Sequence, residues 1–239
     1  MNDSKVSDFY DDFSEKQINT GVSTRNIKIH EFAIKFGLKK TDNVLEIGCG
    51  IGTQTGLLAE YTEGFGKVTA IDISSKSVDY AKKQLKNFNN IDFLIGDIVQ
   101  MKLDVNNKFD VVILPDVIEH IPIEVHGKLF SILRSLIKDN GFVLIHIPNP
   151  NYLKWCHENT KELLQIIDQP IYTDLLCSNV YPNDFYIHYL KTYEIWTNNC
   201  DYQVIVLKPK STATNFSFKP IQVSLKDRLI AKLKKLQYK

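Results

Sequence analysis

From position 43 onward, short apolar runs rich in β-branched residues alternate with stretches whose apolar positions recur at helical spacing. Five runs read as strands: Val44 to Ile47, Lys67 to Ile71, Ile91 to Ile95, Phe109 to Leu114 and Gly141 to Ile147. Each is nearly all apolar, as expected of strands buried on both faces beneath crossover helices. Between them, Ser75 to Asn87 opens with serines able to cap free amides. The segment 123 to 138 sets Val125, Leu129, Ile132, Leu133, Leu136 and Ile137 on one face before an Asn140-Gly141 stop. Upstream, residues 22 to 37 carry Ile27, Phe32, Ile34 and Phe36 with Gly37 as a stop, predicting a helix ahead of the first strand. The pattern predicts a single α/β domain over 1–239, built on a doubly wound, mostly parallel sheet.

Composition changes little in that picture. At 239 residues, 44% hydrophobic and 24% charged, the chain can bury a substantial core and is typical of folded proteins in water. No apolar stretch approaches the roughly 18 residues that would span a bilayer, so the cytoplasm is the expected location. Cysteines at 49, 156, 177 and 200 form no CxxC pair, which fits reduced thiols and no metal site.

The chemistry concentrates where the first strand runs into GCGIGT. Gly48, Gly50 and Gly52 form a tight turn that lets backbone approach a ligand just before a helix. A dinucleotide loop would need a glycine where Thr53 stands, so that fingerprint fails and a nicotinamide-dependent oxidoreductase is disfavoured. Glu46 argues the same way: its carboxylate would repel a pyrophosphate but suits a ligand with an ammonium and a sulfonium, as in S-adenosylmethionine. Asp72 closes the second strand, where a carboxylate accepts from both ribose hydroxyls. Asp97 closes the third, where it can accept from an adenine amino group while Ile73 or Ile98 covers the ring.

On these residues the chain resembles the class I S-adenosylmethionine-dependent methyltransferases. Glu46, Gly48, Gly50 and Gly52 match that family's E/DxGxGxG motif, Asp72 its ribose acid and Asp97 its adenine-site acid. The resemblance covers roughly 22–147 and implies S-adenosylmethionine as cofactor and a Rossmann-like sheet of seven strands with one antiparallel. It also implies that Arg25 reaches the methionine carboxylate and that Leu114 lines the pocket.

Methyl transfer to a hydroxyl needs a base near the methyl group, and PDVIEHI follows the fourth strand at the end of the sheet where ligands bind. His120 is the leading catalytic base, with Glu119 to orient it; His146 and His188 stand in reserve. His30, His126 and His157 read as surface or packing residues. IPNPN at 147–151 resembles the NPPY motif of amino-group methyltransferases acting on nucleic-acid bases. It follows the fifth strand rather than the fourth, so it reads as a turn and no specific nucleic acid is expected.

Residues 151–196 hold nine aromatic residues and read as a substrate cap. The segment is similar to those of methyltransferases of bacterial surface-glycan synthesis, and the core to ubiquinone-pathway O-methyltransferases. The resemblance implies O-methylation of a sugar or other small molecule in glycan biosynthesis. An N-methyltransferase on an amino sugar or small amine and a non-catalytic binding module are the alternatives. Finally, nine Lys or Arg against Asp227 alone make 208–239 basic although the net charge is +1. Ser224 and Asp227 cap a predicted amphipathic helix at 224–239, with Leu225, Leu229, Leu233 and Leu236 on one face. Such a helix suits packing, a second subunit or an anionic membrane, leaving the oligomeric state open.

Overall fold

The computed structural model describes residues 21–210, apart from 104, 105 and 107, together with Ser224 and Ile230. The rest of the predicted 224–239 helix therefore lies outside the described residues. Seven strands form one sheet: β1 (Asn43–Ile47), β2 (Lys67–Asp72), β3 (Ile91–Ile95), β4 (Phe109–Pro115), β5 (Ile137–Pro148), β6 (Phe185–Tyr193) and β7 (Tyr202–Pro209), in the order β3-β2-β1-β4-β5-β7-β6. Only β7 runs antiparallel to its neighbours β5 and β6. This is the doubly wound, Rossmann-like sheet that the sequence pattern and resemblance imply, with the order reversing between β1 and β4.

The strands alternate their side chains between two cores because successive residues face opposite sides. Leu45, Val112, Leu114, Val143 and Ile145 face one side, where α4 (His126–Leu136) contributes Leu129, Phe130 and Leu133 and α6 (Thr173–Val180) contributes Leu176 and Val180. Val44, Val111, Ile113 and Leu144 face the other, covered by Ile29 and Ala33 of α1 (Thr24–Phe36) and Leu58 and Ala59 of α2 (Thr53–Thr62). α3 (Ser75–Gln84) is capped by Ser74, whose hydroxyl accepts from the Ser77 amide. α5 (Pro150–Asn159) starts at Asn149 with Pro150 in its first turn, so IPNPN makes the turn expected of it.

Several expectations need correction. β3 is an edge strand with Ile95 48% exposed, so its apolar run reflects one-sided packing. In α1 the buried residues are Asn26, Ile29 and Ala33, while Ile27 and Ile34 point outward. α4 ends without a glycine stop: Ile137 already pairs with Phe109, and an irregularity in register carries β5 on to Phe142 opposite Val111. The far end of the supposed cap, Phe185–Tyr193, is sheet; its Tyr189 and Tyr193 pack on Phe36 and Phe32 of α1. Alternating patterns on an edge strand are hard to tell from a polar cap.

All four cysteines are free. Among the described residues no helix is long and apolar enough to cross a membrane, and no group of three or more His, Cys, Asp or Glu could hold a metal ion.

Candidate active site

A cavity of about 730 Å³ opens at the carboxyl ends of β1, β2, β3 and β4, where the sheet order reverses. Its floor is the turn after β1. Gly48 has φ +79, and a Cβ there would stand 2.4 Å from Val117 Cγ2. Gly52 has φ +85, and a Cβ would stand 2.8 Å from Ala81 Cβ of α3. Both glycines thus let other parts of the protein close in on the turn. Gly50 donates its amide to Asp72 Oδ2 at 2.7 Å, and Ser74 donates to Asp72 Oδ1 at 2.8 Å. The β2 acid therefore braces the glycine turn as well as lining the cavity.

Glu46, Gly48, Gly50, Asp72, Ile73, Asp97, Ile98, Arg25 and His120 all line this cavity, whereas Gly52 backs it from behind the turn. Leu114 does not: it lies fully buried on the α4 face of β4, because the period of two that puts Val112 in that core puts Leu114 there too. Pro115, Asp116 and Val117, just beyond it, reach the cavity instead. Asp97 accepts from the Val99 amide at 2.8 Å, which shapes the loop after β3.

Glu46 is fully buried, and Thr55 of α2 donates to its Oε2 at 2.7 Å. Burial raises its carboxyl to about 7, against the lowering effect of that hydrogen bond. Its Oε1, and both the Nε2 and Oε1 of Gln54, are buried without a hydrogen-bond partner among the described residues. Gln54, unremarked in the sequence, also lines the cavity. A carboxyl oxygen and an amide left open in the lining of one cavity fit a ligand bearing an ammonium and a carboxylate.

Arg25 is committed elsewhere than expected: it forms an ion pair with Asp116, a residue held at φ +52 and tied by its amide to His146 O at 2.7 Å. Burial opposes the Asp116 charge, but Arg25 and His146 outweigh it and hold the carboxyl below its ordinary value. The Tyr202 hydroxyl donates to Asp116 Oδ2 at 3.4 Å. Asp116 went unnoticed in the sequence, where it reads as a turn residue.

His120 sits at the end of a short 3-10 turn, Ile118–His120. Its Nδ1–H donates to Ile167 O at 2.6 Å, with Asp168 Oδ1 at 3.2 Å and Glu119 Oε1 3.8 Å from Nε2. Burial disfavours its charge, yet Glu119 and Asp168 together push it up to about 9. Burial in turn raises Glu119 to about 8. A histidine whose pKa is raised is less often in the neutral form that accepts a proton at neutral pH, which weighs against His120 as a resting base.

The reserve histidines do not replace it. His146 is wholly buried behind Asp116, with Tyr193 OH 2.5 Å from its Nε2 and Tyr202 stacked at 4.9 Å, and His188 packs edge-on to Phe36 away from the cavity. His126, His157 and His30 serve packing: His126 Nε2 meets the carbonyls of Ile118 and Ile121, His157 Nε2 meets that of Asp168, and His30 lies edge-on to Tyr61. Of the 151–196 segment, Gln165, Ile167 and Trp196 line the cavity. Gln169 straps that roof down by donating through Nε2 to Ile121 O at 2.8 Å and through its amide to Glu119 O at 3.0 Å.

A family model described as a methyltransferase domain matches residues 38–199. The phosphoethanolamine N-methyltransferase of Plasmodium falciparum (isolate 3D7) is 32% identical over 142 residues, 59% of this chain and 50% of its own length. The malonyl-[acyl-carrier protein] O-methyltransferase of Halalkalibacterium halodurans is 29% identical over 135 residues, 53% of this chain and 47% of its own. The chain spans about half the length of these two curated relatives. A magnesium protoporphyrin IX methyltransferase from Synechocystis PCC 6803, solved with bound SAH, aligns with TM-score 0.68 at 18% identity over 88% of this chain and 100% of that one, a likeness that concerns the fold. The family match spans well over half the chain, from ahead of β1 to beyond β6: this protein belongs to the methyltransferase-domain family and has the Rossmann-like fold of the class I S-adenosylmethionine-dependent methyltransferases.

Proposed function

We propose that the chain is an S-adenosylmethionine-dependent methyltransferase acting on a small molecule whose nucleophile is an amine. The observation that carries the cofactor is the single cavity on which the glycine turn, Asp72, Asp97 and the open polar atoms of Glu46 and Gln54 converge. S-adenosylmethionine supplies a methyl group already activated by its sulfonium. Glu46 and Gln54 would take the ammonium and carboxylate of its methionine part, Asp72 the ribose hydroxyls, and Asp97 with Ile73 and Ile98 the adenine.

The choice of nucleophile turns on His120. O-methylation of a sugar, favoured from the sequence, relies on His120 removing a hydroxyl proton through Nε2, and the neighbouring Glu119 and Asp168, by raising the imidazole pKa, leave less of the neutral form that could do so. An amine brings its own lone pair and sheds its proton to water. His120 then serves to hold the 165–169 roof, and the Arg25–Asp116 pair lines the same cavity. An amino sugar is an amine acceptor with a ring to set against Trp196, which lines the cavity.

The test is incubation of the full chain with S-adenosylmethionine and a panel of glucosamine, ethanolamine, tyramine and glucose, following S-adenosylhomocysteine and product mass. Turnover with an amine, giving a product heavier by one methylene and a rate that climbs as the amine deprotonates, is expected. Turnover confined to glucose would restore O-methylation. Binding of S-adenosylhomocysteine without turnover of any acceptor would favour a binding module.

A further inference from the structure

One aromatic side chain on the cavity wall is both conspicuously exposed and rigidly mounted. Trp196 is 56% exposed and is the only Phe, Tyr or Trp lining the cavity among the described residues. It rides on the turn between β6 and β7. That turn is organised by Asp201, which is fully buried and accepts backbone N–H bonds from Ile195 at 2.9 Å, Trp196 at 2.9 Å and Thr197 at 3.4 Å. The end of β5 clamps it from below: the Asn149 amide N–H donates to Asp201 O at 2.8 Å, and its side-chain amide donates to Cys200 O at 2.8 Å. Cys200 takes φ +52 to complete the turn.

Burying a carboxylate is expensive unless its oxygens are well satisfied, and here the satisfaction comes from three consecutive backbone amides. An exposed indole adds nothing to the core, so the conformation secured at that cost is the position of Trp196 itself. The lining beyond β4 also carries the aliphatic Val117, Ile121, Pro122 and Ile167, which offer packing but no flat apolar face. An indole carried on a turn braced in this way offers that face at the cavity wall.

We propose that Trp196, presented by Asp201, is the platform on which a ring of the methyl acceptor stacks, and so selects sugar or aromatic amines over acyclic ones. This rests on the methyltransferase reading of the same cavity. Trp196 is a specificity residue that touches substrate; Asp201 is a positioning residue acting through it.

The experiment uses the full chain saturated with S-adenosylhomocysteine, a step that reads the underlying assignment independently. The indole N–H resonances of Trp155 and Trp196 are distinguished with a Trp155→Phe variant, and glucosamine, tyramine and ethanolamine are titrated in turn. Saturable shifts of the Trp196 signal with glucosamine or tyramine and none with ethanolamine are expected. Trp196→Ala should weaken binding of the ring probe by roughly tenfold, with Trp196→Phe recovering part and the affinity for S-adenosylhomocysteine unchanged. Asp201→Asn should broaden or displace the Trp196 signal and weaken the ring probe in step. An unmoved Trp196 signal, or equal shifts with ethanolamine, would overturn the proposal while leaving cofactor binding intact. Failure to bind S-adenosylhomocysteine at all would instead remove the reading on which it rests.

Discussion

Asp72→Ala is expected to weaken S-adenosylhomocysteine binding by about a hundredfold or more while the chain still unfolds cooperatively near its original midpoint. Charge-assisted hydrogen bonds contribute about 1.5–3 kcal/mol each, and two to a ribose amount to at least about 3 kcal/mol, roughly two decades of affinity. The brace on the glycine turn adds to the loss, since the Gly50 and Ser74 amides give up their acceptor together. Gly50 lines the cavity, where water can replace the carboxylate as its acceptor, and the loss at buried Ser74 is that of a single amide bond, so the fold is spared. Asp72→Asn keeps an acceptor for one of the amides and should lie between the two. Isothermal calorimetry on the three proteins checks this, and an Ala variant within threefold of the parent would refute the placement of Asp72 against the ribose.

The largest stability effect is expected at the pair that joins α1 to the end of β4. Arg25→Met leaves Asp116 buried and uncompensated, and breaking a buried pair from one side costs about 3–5 kcal/mol; the 29% exposure of the Arg25 side chain favours the lower end. Arg25→Met combined with Asp116→Asn removes both charges and should recover more than half of that loss. Denaturant unfolding of the single and double variants measures it. A single-variant loss below about 1 kcal/mol would mean that solvent, not Arg25, balances Asp116.

The central strands, the glycine turn and the acids that line the cavity were legible because their spacing is imposed by a parallel sheet. A buried strand must be apolar, and the first polar residue past its end falls where ligands bind. What stayed illegible depends on contacts between distant segments. The raised pKa of His120 comes in part from its neighbour Glu119, which the sequence shows, but in part from Asp168, 48 positions away, and the commitment of Arg25 comes from Asp116, 91 positions away; no local pattern signals the two distant partners. Leu114 was misplaced by one residue, which in a strand means the opposite face. Gln54 looks like any helix glutamine until its amide is found buried and open. In the aromatic segment, β6 was missed because an edge strand alternates polar and apolar residues much as a cap does.

The central claim, that this cavity takes S-adenosylmethionine, carries a pH signature. The form of Glu46 that receives an ammonium is the carboxylate, and burial raises its carboxyl to about 7 in the free protein. Ligand binding lowers that value, so a proton is released on binding below neutrality and affinity rises with pH until Glu46 is ionised. Calorimetric titration of the full chain with S-adenosylhomocysteine and with NADH, at pH 8 and at pH 6, therefore tests the account most directly. The expected result is saturable S-adenosylhomocysteine binding at pH 8, weaker by about tenfold at pH 6, and no binding of NADH at either. Binding of NADH, or no binding of S-adenosylhomocysteine at pH 8, would contradict it.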